Sequence, residues 1–119
     1  MTFNEYQEEA GRTAFLSPVL YMRDANGIFK AVPWVYAALG LGEAGEAQNK
    51  IKKILRDNDG VVTDSIREAV KGELGGILWY ASQVAALLGI PYDDVATYNI
   101  STLRGRAERG TLQGSGDNR

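Results

Sequence analysis

The amino-acid sequence predicts an all-α protein, a four-helix bundle folded as one domain, and three observations carry that expectation. Apolar residues return at helical spacing in four separate stretches, each stretch is bounded by helix start and stop signals, and no alternating series of strands runs along the chain. A chain of 119 residues, 45% of them apolar and 24% charged, has the balance of an ordinary globular domain and is long enough for one core but too short for two.

Thr2 followed by Glu5 has the form of a capping box, and Phe3, Tyr6, Ala10 and Ala14 follow at helical spacing, so a first helix is expected near residues 3–15. Residues 17–32, with Pro18 and Asn26-Gly27 and followed by Pro33, carry turn signals without a sustained period and predict a long irregular connection. Pro33 suits a first helical turn, and a second helix is expected from there to about Arg56, stopping at Asp57-Asn58-Asp59-Gly60. Its stripe is Tyr36, Leu39, Glu43, Glu46, Lys50 and Ile54. Thr63 is a good N-cap, with Asp64 favourable in the first turn, and Gly89 followed by Pro91 is a good stop; a third helix of about 25 residues lies between them. Its stripe is Ile66, Val70, Glu73, Ile77, Tyr80, Val84 and Leu88. A fourth helix spans about Pro91 to Arg109, and a flexible polar tail begins at about residue 110.

Composition removes whole classes of chemistry. Without cysteine there is no disulfide, thiolate metal site or cysteine nucleophile, and without histidine there is no serine-histidine triad and no neutral-pH imidazole base. Catalysis must run on carboxylates, hydroxyls, Lys, Arg, Tyr or a hard metal ion. A net charge of −2 disfavours nucleic acid as a partner. No apolar run approaches the roughly 20 residues of a membrane span, and the opening segment is acidic and polar, so a cytoplasmic protein with no membrane partner is expected.

The acidic residues are unusually placed. Glu43 and Glu46 stand three apart and would project from one helix face, while Glu73 falls on the apolar stripe of the third helix. A core-facing carboxylate needs a cation, a strong hydrogen-bond partner or a raised pKa. Mg²⁺ or Mn²⁺ is the simplest neutraliser for three such groups. The plainer reading is a solvated edge on which Glu43 and Glu46 pair with Lys50 or Lys53. Gly40, Gly42, Gly45, Gly72, Gly75 and Gly76 surround the acids, each costing a helix about 1 kcal/mol relative to alanine, which suggests close helix approach or room for a ligand. Residues 40–45, GLGEAG, also match the glycine pattern of dinucleotide-binding folds, but the chain lacks the strands and the length of such a fold.

Three stretches together resemble the MazG-like all-α nucleoside triphosphate pyrophosphohydrolases: GLGEAGEAQNKIKK at 40–53, KGELGGILWY at 71–80 and NISTLRGRAERGTLQGSGDNR at 99–119, with FNEYQ at 3–7 extending the similarity over nearly the whole chain. The resemblance implies a Glu-x-x-Glu pair and a Glu-x-x-Asp pair on successive helices holding Mg²⁺ at a triphosphate. It also implies cleavage between the α and β phosphates and a bundle completed by a homodimer or tetramer. Glu43 and Glu46 match the first pair. Glu73 opens the second, but Gly76 stands where the family has aspartate, so either a metal-dependent hydrolase or a nucleotide-binding protein with weak turnover is implied. Asn99 matches the family's nucleotide-contacting residue on the last helix, and Thr102 replaces a lysine three positions later. Lys50, Lys53, Arg104 and Arg106 are the remaining candidates to hold phosphates, and Trp34, Trp79 and Tyr80 could stack on a base. A helical interaction module without nucleotide chemistry is the third reading.

Overall fold

The computed structural model describes residues 1–14, 21–23, 29–31 and 40–116. Within them lie four helices, α1 (Phe3–Gly11), α2 (Glu43–Asp57), α3 (Asp64–Leu87) and α4 (Tyr92–Glu108), and two short strands, β1 (Tyr21–Arg23) and β2 (Phe29–Ala31). The all-α class holds. The strands form a three-rung antiparallel ladder, Tyr21 opposite Ala31, Met22 opposite Lys30 and Arg23 opposite Phe29, where an irregular connection is expected. Asn26-Gly27, a strong hairpin signal when flanked by strand-forming residues, falls between them in the sequence.

α1 starts as the capping box dictates: Thr2 Oγ1 accepts from the Glu5 amide at 3.1 Å and Glu5 Oε2 accepts from the Thr2 amide at 2.6 Å. It ends at Gly11 rather than near residue 15, because the Thr13 hydroxyl donates back to the Ala10 carbonyl at 2.8 Å and closes the last turn. α2 also departs from expectation. A turn at Leu41-Gly42 interrupts the chain and the helix opens at Glu43; residues 33–39, expected as its first two turns, lie outside the described residues. At Gly40, just before this turn, a Cβ would overlap the ring of Tyr80 on α3, so the chain passes close to α3 there.

α3 is the spine. α2 packs against it most extensively, α1 next, and α4 packs against both α1 and α3. Thr63 caps its start, accepting from the Ile66 amide at 3.3 Å. Its end is a Schellman motif: Gly89 adopts φ +71°, its amide donates to Ala86 O at 3.0 Å, and the Ile90 amide donates to Ala85 O at 2.8 Å. Beyond it the chain turns through 107° into α4, short of the near reversal that an antiparallel bundle neighbour needs.

Apart from Ala47 on α2, the buried residues among those described gather where α1, α3 and α4 meet. Ala10, Ala85 and Tyr92 are buried there with the polar Ser82 and Gln83, and Phe3 meets Tyr92 edge-on at 5.2 Å. Gln7 Nε2 donates to the carbonyls of Ser82 and Ile90, both at 3.1 Å, tying α1 across the end of α3. Asp93 Oδ1 accepts from the amides of Phe3 and Asn4, and Asn4 Oδ1 accepts from the amide of Asp93 at 2.9 Å. Two helix starts therefore cap each other. Large apolar side chains stay exposed elsewhere, among them Ile51, Leu55 and Leu74 on α2 and α3, and Val95, Tyr98, Ile100 and Leu103 on α4. Among the described residues no single helix is long and apolar enough to cross a membrane. The polar tail is described as far as residue 116.

Candidate metal centre

The interruption at Leu41-Gly42 places Glu43 and Glu46 in the first turn of α2 rather than in mid-helix. Their carboxylates sit near the positive end of the helix dipole, a modest stabilisation for negative charge. Ala47, small and buried, lets α2 lie close on α3 and brings this turn over Glu73. One oxygen from each of Glu43, Glu46 and Glu73 lies within 4.8 Å of the others. The three acids singled out in the sequence thus come from two helices to one point.

Their electrostatics are strained in the expected direction. The Glu43 carboxyl is pushed above its ordinary value of 4.5, first by partial desolvation, then by a hydrogen bond shared with Glu73 and by the negative charges of Glu46 and Glu73. Glu73 is largely enclosed, its side chain only 15% exposed, and its Oε1 receives the Lys50 ammonium at 3.0 Å. The expected edge pairing of Lys50 with Glu43 or Glu46 gives way to this bridge from α2 to α3. Other ion pairs among the described residues, such as Arg12 with Glu8 and Glu9 or Lys71 with Glu68, join neighbours within one segment.

Gly76 follows Glu73 by three residues on the same face of α3. A Cβ there would lie 3.1 Å from Glu43 Oε2 and 3.2 Å from its Cδ and Cγ. The Glu43 side chain therefore occupies the room that a side chain at position 76 would claim. Gly72 and Gly75, by contrast, face open space.

Lys53 lines a cavity of about 340 Å³ beside the cluster together with Lys50, Ile54, Asp57, Asn58, Ile66 and Ala69. The remaining residues singled out for phosphate or nucleotide contact are not gathered here. Asn99, Arg104 and Arg106 are on α4, which starts beyond the end of α3, roughly 20 Å along the axis from Glu73 at 1.5 Å per residue. Asn99 borders a separate cavity with Phe3, Tyr92, Val95 and Ala96. Trp79 Nε1 donates to Thr13 Oγ1 at 3.0 Å and the Trp79 ring meets Tyr80 edge-on at 4.9 Å, so both aromatics are committed to packing; Trp34 lies outside the described residues. The role of Lys50 as the bridge was foreshadowed only by its place on the Glu43–Glu46 stripe. The seating of Glu43 over Gly76 left no sequence signal beyond the glycine.

Fold and site define an all-α protein that concentrates three carboxylates between α2 and α3. In sequence it is 49% identical over 85 residues to the Gene 37 protein of Mycobacterium phage L5, an alignment covering 71% of this chain and 75% of that protein, and it belongs to the family of that phage protein. No family model and no solved structure matches the chain.

Proposed function

We propose that this protein is a metal-dependent hydrolase that converts (deoxy)nucleoside triphosphates to the monophosphate and pyrophosphate, serving nucleotide-pool house-cleaning. The observation that carries the reading is the convergence of Glu43, Glu46 and Glu73 oxygens within 4.8 Å across two helices. The resemblance of the same residues to the MazG-like motifs supports it.

The donor set fits Mg²⁺, with Mn²⁺ as an alternative: all ligands are carboxylate oxygens, which hard divalent cations prefer. Glu43, Glu46 and Glu73 would hold such an ion, their oxygens already converging within 4.8 Å. When bound, the ion neutralises phosphate charge and favours the arrival of a water at the α phosphorus. Whichever carboxylate oxygen of Glu43, Glu46 and Glu73 such an ion left over would accept the proton of that water. The bond to the β-phosphate oxygen breaks and pyrophosphate leaves. Lys50 and Lys53 border the cavity into which a polyphosphate chain would extend.

Lower turnover is favoured by one observation, the absence of a carboxylate at Gly76, with Glu43 drawn over the gap. A nucleotide-binding protein of the same fold is that reading's limit. The exposed apolar residues of α2 and α4, beside a small buried core, support a homo-oligomer that covers them. Asn99, Arg104 and Arg106, remote from the acids along one chain, remain proposed substrate contacts.

The deciding experiment measures pyrophosphate release from the eight common nucleoside and deoxynucleoside triphosphates with and without Mg²⁺. Metal-dependent release from at least one of them is expected. A protein that binds these nucleotides, seen as thermal stabilisation, yet releases nothing would leave the binding reading. Neither release nor stabilisation would remove nucleotide chemistry altogether.

A further inference from the structure

We propose that Lys50 is the resident counter-cation of the acidic cluster: an arriving divalent metal must displace its ammonium from Glu73, and the displaced ammonium then grips the phosphates. This rests on the metal reading above and adds an order of events to it, metal first and polyphosphate second.

Glu73 is largely enclosed, so its carboxylate must be neutralised when no metal is present, and the Lys50 ammonium at 3.0 Å does so from the opposite helix. The same carboxylate belongs to the group of three that converge within 4.8 Å. An ammonium and a divalent cation cannot both hold it, because a metal bound there would face a positive charge at near-contact distance. Lys50 is able to yield. Its side chain is 37% exposed and its four-carbon stem is flexible, and it already borders the cavity it shares with Lys53. Moved into that cavity, the ammonium stays near the cluster and presents its donors to whatever anion the metal has attracted.

The test compares the full-length protein with Lys50→Gln, Lys50→Arg and Lys53→Gln, using Mn²⁺ as the probe and reading free ion by electron paramagnetic resonance. Removing the competitor should make Lys50→Gln bind Mn²⁺ about tenfold more tightly, with Lys53→Gln within about twofold of the parent. Arginine grips a carboxylate through a fixed fork, so Lys50→Arg should bind Mn²⁺ about threefold more weakly, and that variant decides the matter if the glutamine form does not fold. At saturating Mn²⁺, inorganic tripolyphosphate should bind Lys50→Gln about fivefold more weakly than the parent. Equal or weaker Mn²⁺ binding by Lys50→Gln, equal tightening by Lys53→Gln, or tripolyphosphate binding indifferent to Lys50 would each overturn the proposal. Mn²⁺ binding of equal strength to parent and Lys50→Gln sinks this inference alone, whereas Mn²⁺ binding to neither sinks the metal reading beneath it.

Discussion

Asp93 and Glu43 both sit in the first turn of a helix, and their surroundings are opposite. Asp93 accepts two amides from the start of α1 while its own amide is taken by Asn4, so charge, dipole and donors all agree. Glu43 faces two other carboxylates, shares a hydrogen bond with one of them and is pushed toward its protonated form. The corner of α1, α3 and α4 is built to satisfy its polar groups internally. The start of α2 and the facing middle of α3 leave a deficit of positive charge that one lysine partly fills. Polar groups in the first region satisfy one another, and those in the second are the ones proposed to bind a metal.

The strongest way to break that contrast is to remove an acid from the second region. Glu46→Gln is expected to lower Mg²⁺-dependent triphosphate hydrolysis by about a hundredfold, the upper range for losing part of a metal site, while raising the thermal stability of the metal-free protein by relieving repulsion. If both activity and stability stay unchanged, the cluster is ordinary surface.

Position 76 gives the next largest effect. Gly76→Asp is expected to raise hydrolysis at limiting Mg²⁺ about tenfold, equivalent to about 1.4 kcal/mol of transition-state stabilisation, provided Glu43 swings aside by a few tenths of an ångström. Gly76→Ala isolates the crowding without supplying a ligand and should weaken Mn²⁺ binding. Gly75→Ala, which meets open space, should only stabilise the helix by about 0.5–1 kcal/mol. Titrating pyrophosphate release against Mg²⁺ for all three settles the order. An aspartate variant no faster than the parent would mean that Glu43 has taken over the missing ligand's place for good.

In the first region, Asp93→Ala should cost about 1–2 kcal/mol in urea unfolding by orphaning the start of α1, with Mn²⁺ affinity unchanged. A change in metal affinity would show that the two regions are coupled after all. The smallest effect concerns pH. Because the Glu43 carboxyl lies above its ordinary value of 4.5, the native state holds a proton that the unfolded chain has already released. Stability of the metal-free protein should therefore fall as pH rises from that value through the raised one, and Glu43→Gln should flatten the slope. A parent protein whose urea midpoint is flat across that range would contradict the shared hydrogen bond.

Much of this was legible in the sequence, for identifiable reasons. The capping box at Thr2, the cap at Thr63 and the stop at Gly89 act through bonds spanning a few residues, so their signals are local. The three acids were legible because a glutamate on an apolar stripe is an anomaly wherever its neighbours turn out to be. The break before Glu43 was not legible, and neither was the close approach of the Tyr80 ring to Gly40 from another helix. The pairing of Lys50 with Glu73 and the cap from Asp93 to α1 are likewise products of tertiary proximity that no spacing rule encodes. The β1–β2 ladder, where an irregular connection was expected, is three residues to a side, too short for any periodicity to register.

The reciprocal cap between α1 and α4 has a consequence for how the chain acquires its shape. It joins positions 89 and 90 residues apart, so everything from α1 to the start of α4 must be laid down before it can close. α1 has nine residues, below the roughly 12–15 at which an isolated helix begins to persist in water. α1 is thus among the later of the described elements to settle, waiting on the arrival of α4, while the neighbouring pair α2 and α3 can assemble from local contacts.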